Sequence, residues 1–542
     1  MSSADVIVVG SGASATAAAF PLVEAGLSVL MLDPANVDSR YAPLIPDRPF
    51  SKLRASDPNQ HRYFLGDDFE GIPSGDIRVG AQLTPPRKFI VKDTDRLLPT
   101  RSDDFAGFSS LARGGLSAGW GAISVEFQEP DLEGFPIGRA DLAPHYESVA
   151  ARVGISGDRD DLLPYYGESP SLQPPLELDT LAGSILERYG KKRAAFHARG
   201  VRIGRPRLAV LSRDLDGRKG QSYHDMDFYS DRGKSVFRAG CALDDLEMRP
   251  GFRLASPFLV ERFRESPGGG VVVTARDLAS GARREFTAPR LVLAAGVMGS
   301  ARIVLRSFDA YDREIPILAN PYTYGVCLHL PVLGKRCADR RHSLTQLAIV
   351  VDPEGTGRPP LHAQIYSYRS LLLFKVAREA FLPLPEGFRC LRDAGGAFAI
   401  LAMHHEDRPS PNKRCILRRG APGEEDLLEI RYELDPETRR RQDQLERLVL
   451  RLLRKVGCWP LRRTYPGHGS SIHYGGTLPM SSREEELTVT PECRLRGTRA
   501  VYVADGSVLP WLPSKAPTLT FMANAERVGT IVARELGSAG PA

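Results

Sequence analysis

The chain has 542 residues, 42% hydrophobic and 25% charged, which excludes global disorder and, at roughly 150 residues per unit, predicts about three to four folding units. Its 72 basic and 66 acidic side chains leave a net charge of +6, too dilute for a nucleic-acid footprint. Seven cysteines without a C-x-x-C pair argue against a disulfide framework or a zinc cluster.

The run from Asp5 to Val9 is short and apolar, as a buried parallel strand should be. Gly10, Gly12 and Ala15 follow as G-x-G-x-x-A, then an alanine-rich helix to about Gly26, in which Pro21 predicts a kink. A second apolar run, Leu27 to Leu32, stops at Asp33. This β-α-β unit predicts a dinucleotide site. The first glycine permits a tight turn, the second lets backbone approach a pyrophosphate, and the small third residue lets the helix pack on the strand. Asp33 stands where a carboxylate accepts hydrogen bonds from ribose. Residues 34–105 are rich in Pro, Asp and Arg and predict mostly loop.

Gly114 to Gly121 places four glycines around Trp120, so backbone passes close to something flat or charged. A strand pair over 257–288 leads into Arg290 to Gly299, a third strand-turn-helix, with the helix running from Ser300 to about Arg306. Residues 309–434 predict a sheet-forming domain. Asp435 as N-cap and Pro436 open an amphipathic helix to about Val456. Residues 465–480 are a glycine-rich loop with His468 and His473. A strand from Val501 ends at Asp505, and Ala516, Pro517 and Thr518 open a last helix to about Glu535. His404 and His405 read as surface or core residues, and with no carboxylate at zinc-ligand spacing no metal is predicted. The amphipathic stretch Leu371 to Phe381 reads as a core or subunit contact in preference to a membrane surface. No run reaches the ~18 apolar residues of a membrane helix. The cysteine usage and the absence of a signal-peptide pattern predict a cytoplasmic location.

In order and spacing, the nucleotide fingerprint, the glycine-tryptophan loop, the turn at Ala295, the histidine loop, the strand ending in Asp505 and the proline-opened helix resemble the glucose-methanol-choline (GMC) family of flavoproteins. The resemblance implies an α/β fold, α+β overall. Residues 1–135, 206–308 and 465–542 would form a discontinuous FAD-binding domain. Residues 136–205 and 309–464 would form a substrate domain with a mostly antiparallel sheet. It implies oxidation of an alcohol by hydride transfer to flavin N5. Gly10, Gly12, Ala15 and Asp33 would hold the ADP half, with Val260, Ala295 and Gly296 on its adenine side. Gly115, Ser117, Trp120 and Gly121 would line the flavin edge, Asp505 and Gly506 the ribityl and pyrophosphate. The amide of Thr518, after Pro517, would face flavin N1. His473 matches the family's base, with His468 the weaker candidate.

The sequence departs from the family at Ala516, where Asn or His usually supplies a second group gripping the substrate hydroxyl. The small-molecule substrate implied is an alcohol, with a sugar or glycoside favoured because both loops look like those of bacterial relatives that modify saccharides, aminoglycosides included. The electron acceptor stays open between oxygen and others. A sterol or lipid alcohol oxidase and a flavin-binding protein without redox turnover are the alternatives.

Overall fold

The computed structural model describes residues 4–71, 83–335, 340–367, 383, 385–387, 389 and 394–538; the amphipathic stretch 371–381 lies outside these. Val6–Val9 and Val29–Leu32 are buried at every position, the pattern of parallel strands covered on both faces. They lie in a five-stranded, all-parallel sheet of order Val501–Val503, Arg290–Leu293, Val6–Val9, Val29–Leu32, Phe252–Ala255. The beginning, middle and end of the chain thus meet side by side. Helix Ala13–Glu24 packs along the C-terminal helix Thr518–Ser538 and continues through Pro21 without ending there.

The predicted strand pair over 257–288 is a three-stranded antiparallel meander, Phe258–Glu265, Val271–Asp277 and Arg283–Ala288. The helix expected from Ser300 starts earlier, at Val297, because Gly296 already serves as its N-cap.

The second large sheet is antiparallel, with order Cys458–Thr464, Tyr322–His329, Phe398–His405, Leu361–Ser367, Leu347–Val351, Val201–Gly204. Strand alternation splits it into two faces. Leu401, Met403, Leu347 and Ile349 join Leu445, Val449, Leu452 and Leu453 of helix Pro436–Lys455 in one core. That helix starts where the sequence predicts, the Asp435 side chain accepting the Glu437 and Thr438 amides, a cap of about 1 kcal/mol. The opposite face, including Tyr322, Tyr324, Ile400, Ala402 and His404, lines a cavity. Among the described residues no helix is long and apolar enough to cross a membrane, and the cysteines at 241, 327, 415, 458 and 493 are free thiols.

Candidate active site

The first strand ends in a turn only glycine can make. Gly10 has φ +99°, and a Cβ there would stand 2.4 Å from the Ala294 carbonyl oxygen. Gly12 caps the following helix with nothing within 4 Å of where a side chain would point. The helix amides therefore open onto free space, an arrangement suited to a phosphate charge. Asp33 ends the next strand at 6% exposure, its Oδ1 accepting the Ala35 amide at 2.6 Å. Burial pushes its carboxyl up to about 7, against the hydrogen bonds from Ala35 and Ser11 that favour the carboxylate. Hydroxyl donors of a ribose would supply the stabilisation that the missing water no longer gives.

The glycine-tryptophan loop is tied to this turn. The Gly114 amide donates to Ser11 Oγ at 3.0 Å, and Ser117 Oγ donates to the Gly114 carbonyl at 2.6 Å. Trp120 Nε1 donates to the Phe237 carbonyl at 2.6 Å, which fixes the indole beside the loop. Asp505 is buried, accepting from the Ser507 amide at 2.9 Å and from Ser300 Oγ at 2.6 Å.

A cavity of about 930 Å³ connects these parts. Its wall includes Gly10, Gly12, Asp33, Gly115, Ser117, Trp120, Gly121, Val260, Ala295, Gly296, Asp505, Gly506, His473, Ala516 and Thr518. Three residues expected at the site are not on that wall. Ala15 is buried inside its helix, and Pro517 lies behind Ala516 and Thr518. His468 is 2% exposed and occupied by the Tyr465 hydroxyl, 2.5 Å from its Nδ1. The size of the cavity, the open helix amides and the buried carboxyl at the strand end fit FAD. Asp33→Ala is expected to weaken FAD binding, since charge-assisted hydrogen bonds contribute about 1.5–3 kcal/mol each. Titration of the apoprotein with FAD, followed by flavin fluorescence, checks this, and unchanged affinity would remove Asp33 from the site.

At the other end, His473 has a fixed tautomer. The Asn320 Nδ2 donates to the carbonyls of His405 at 2.7 Å and Pro513 at 2.9 Å. Only its Oδ1 is left to face His473 Nδ1, 3.2 Å away, so Nδ1 carries the proton and donates. The Nε2 lone pair then looks into the cavity. Burial pushes the imidazolium down to about 4, so the ring is neutral at pH 7. Ala516 lies on the same cavity wall and offers it only a methyl group. Lys515 points the other way, its ammonium 2.5 Å from Asp131 Oδ2 and fully buried.

The sequence reading placed His404 at the surface or in the core; in the structure it lines the cavity. Its ring stacks on His473 at 5.0 Å between centroids and 25° between planes. His405 points to the opposite face and binds Glu446 Oε1 at 3.0 Å. Asn320, Tyr322, Tyr324, Gln364 and Tyr366 complete this end; none was anticipated from the sequence.

The GMC oxidoreductase family model matches residues 417–525, which hold His473, Asp505, Ala516 and Thr518. Paromamine 6'-oxidase of Streptomyces fradiae is 25% identical, the match covering 98% of this chain and 92% of that protein. Residues 417–525 thus carry a GMC oxidoreductase domain. C-glycoside 3-oxidase of Microbacterium trichothecenolyticum is 23% identical over 98% of this chain and 97% of that one. The fold also aligns with pyridoxine 4-oxidase from Mesorbium loti, at TM-score 0.58, 14% identity, 97% of this chain and 99% of that one. A formate oxidase variant of Aspergillus oryzae, studied for its FAD modification, aligns at TM-score 0.60, 14% identity and 99% of both chains. The GMC oxidoreductase match and the oxidase relatives support an oxidoreductase acting on CH–OH groups.

Proposed function

We propose that the protein oxidises a hydroxyl of a sugar or glycoside to a carbonyl, with His473 as the base. The observation that carries this is the His473 tautomer: Asn320 holds the Nδ1 proton, which leaves Nε2 as a proton acceptor inside the cavity. FAD, when bound, supplies the acceptor for a hydride, the two electrons and one hydrogen that leave the alcohol carbon. The chain has to take the hydroxyl proton as the C=O bond forms, and Nε2 of a neutral imidazole is placed for that.

The rest of the wall supports a saccharide. Tyr322, Tyr324, Tyr366 and Gln364 present rings and polar tips together, a surface suited to the apolar faces and hydroxyl edges of a sugar. The relatives named as a paromamine oxidase and a C-glycoside oxidase favour the same class. The division of the chain into FAD segments 1–135, 206–308 and 465–542 and substrate segments 136–205 and 309–464 is supported by strand membership. Every strand of the parallel sheet falls in the first set, and every strand of the six-stranded sheet in the second.

The test is anaerobic bleaching of the yellow holoenzyme by a panel of methyl glycosides, aminoglycosides, sterols and simple alcohols. Bleaching by sugars or aminoglycosides at lower concentration than by the others is expected. Preferential bleaching by a sterol would sink the saccharide reading, and a flavin that no alcohol reduces would favour a protein without redox turnover.

A further inference from the structure

Strand Phe398–His405 presents Ile400, Ala402 and His404 to the cavity, and its register sets His404 opposite both Tyr322 and His362. The imidazole is packed between rings, with Tyr322 at 4.9 Å and His473 at 5.0 Å between centroids. It is 6% exposed, and among the described residues its Nδ1 is sealed without a hydrogen-bond partner. No described residue hydrogen-bonds its Nε2 either, and the ring is part of the cavity wall. A buried imidazole with neither nitrogen bonded is costly, by about 1–3 kcal/mol per orphaned group, and such a site asks for a ligand. Orphaned buried N–H groups are rarer than orphaned acceptors, which puts the ring proton on the cavity-facing nitrogen. The methyl of Ala516 offers the cavity no hydrogen bond.

Resting on the alcohol-oxidation reading, we propose that His404 is a second catalytic residue, whose Nε2–H donates a hydrogen bond to the reacting hydroxyl oxygen while His473 Nε2 accepts that hydroxyl's proton. In the step, the O–H bond breaks and its proton goes to His473. The C–H pair leaves as hydride for FAD, the C=O bond forms, and His404 keeps its own proton throughout. The two stacked rings then grip one oxygen from neighbouring positions, so the donor absent at residue 516 is supplied from the sheet. Burial and the nearby His473 and His362 hold the His404 imidazolium well below its usual range, so the ring stays a neutral donor when His473 takes its proton.

His404→Phe keeps the ring stack and removes both nitrogens; His404→Gln removes the ring but keeps a donor. With methyl glucoside and paromamine as probes, anaerobic flavin reduction at saturation is expected to slow about 10-fold or more in His404→Phe and to recover most of that loss in His404→Gln. The second readout is a crystal structure of the dithionite-reduced wild-type holoenzyme soaked with the same probes. One ligand oxygen within about 3.2 Å of both Nε2 atoms is expected. A His404→Phe rate equal to wild type, or a hydroxyl held by His473 with His404 bonded to nothing, overturns the proposal even if neither variant folds well enough for kinetics. If no alcohol bleaches the wild type, alcohol oxidation itself fails. If the wild type bleaches and His473→Ala does not, while His404→Phe matches wild type, only the role of His404 fails.

Discussion

His473→Ala is expected to retain FAD and its yellow colour but to slow anaerobic flavin reduction at least ~10²-fold. The ring is held by one hydrogen bond to Asn320 and by stacking on His404, neither of which involves the turns at Gly10 and Gly12. What is lost is the Nε2 acceptor. Hydride departs from carbon only as alkoxide character builds on oxygen, and His404, already carrying its proton on the cavity side, cannot replace a base. Rapid-mixing spectrophotometry measures the rate. Burial holds the imidazolium near 4, below the usual value of about 6.5, so the wild-type rate should also stay level between pH 5.5 and 8 instead of falling through 6.5. Reduction of His473→Ala at the wild-type rate would place the base elsewhere.

Acid is expected to destabilise the fold as pH falls below about 6.5, with the Asp33 carboxyl, pushed up to about 7, taking its proton in the same window and offsetting part of the loss. Burial pushes His329, His468 and His473 down to about 4 and His362 to about 3, and lowers His342 and His404 as well. In the unfolded chain all six titrate near 6.5, so the unfolded state binds more protons than the fold below that pH. The stability these neutral rings represent is complete above about 6.5 and drains as pH falls towards 4. His362 has no exposure and contributes a loss of about 1.4 kcal/mol per pH unit on its own. The others add to it, against a total of only ~5–15 kcal/mol for a typical domain. Thermal unfolding followed from pH 7.5 to 5 should show the midpoint dropping with each step, with net proton uptake. A midpoint that does not move between pH 7 and 5 would refute it.

The Gly10 end of the cavity was legible because it depends on local chemistry. A tight turn needs Gly10, an open helix start needs Gly12, and a strand ending in Asp33 follows at fixed distance; each is written contiguously. The His473 end was not, because it is made by strand alternation across a sheet. His404 and His405 are neighbours in sequence and point to opposite faces, one to the cavity and one to Glu446. The only local sign was the pattern Ile400, Ala402, His404 against Leu401, Met403, His405. Neither series is more apolar than the other, so the pattern does not say which face is covered by a helix. Asn320 was hidden for another reason. Its role comes from two carbonyls, of His405 and Pro513, distant in the chain, that together fix its amide.

The parallel sheet has a bearing on how the protein is made. Its central strand, Val6–Val9, is synthesised first, yet its neighbour Arg290–Leu293 comes from mid-chain and the strand beyond that, Val501–Val503, from near the end. The C-terminal helix that packs on Ala13–Glu24 is later still. A nascent chain therefore carries its most apolar strand, without one of its two partners, through more than half of translation. Closing such long loops before any contact rewards them is slow. The cavity wall that runs from Gly10 to Thr518 is complete only after Thr518 has left the ribosome. Products that stop short of it would thus lack the strand and helix that close the sheet, and are expected to emerge colourless and prone to aggregate.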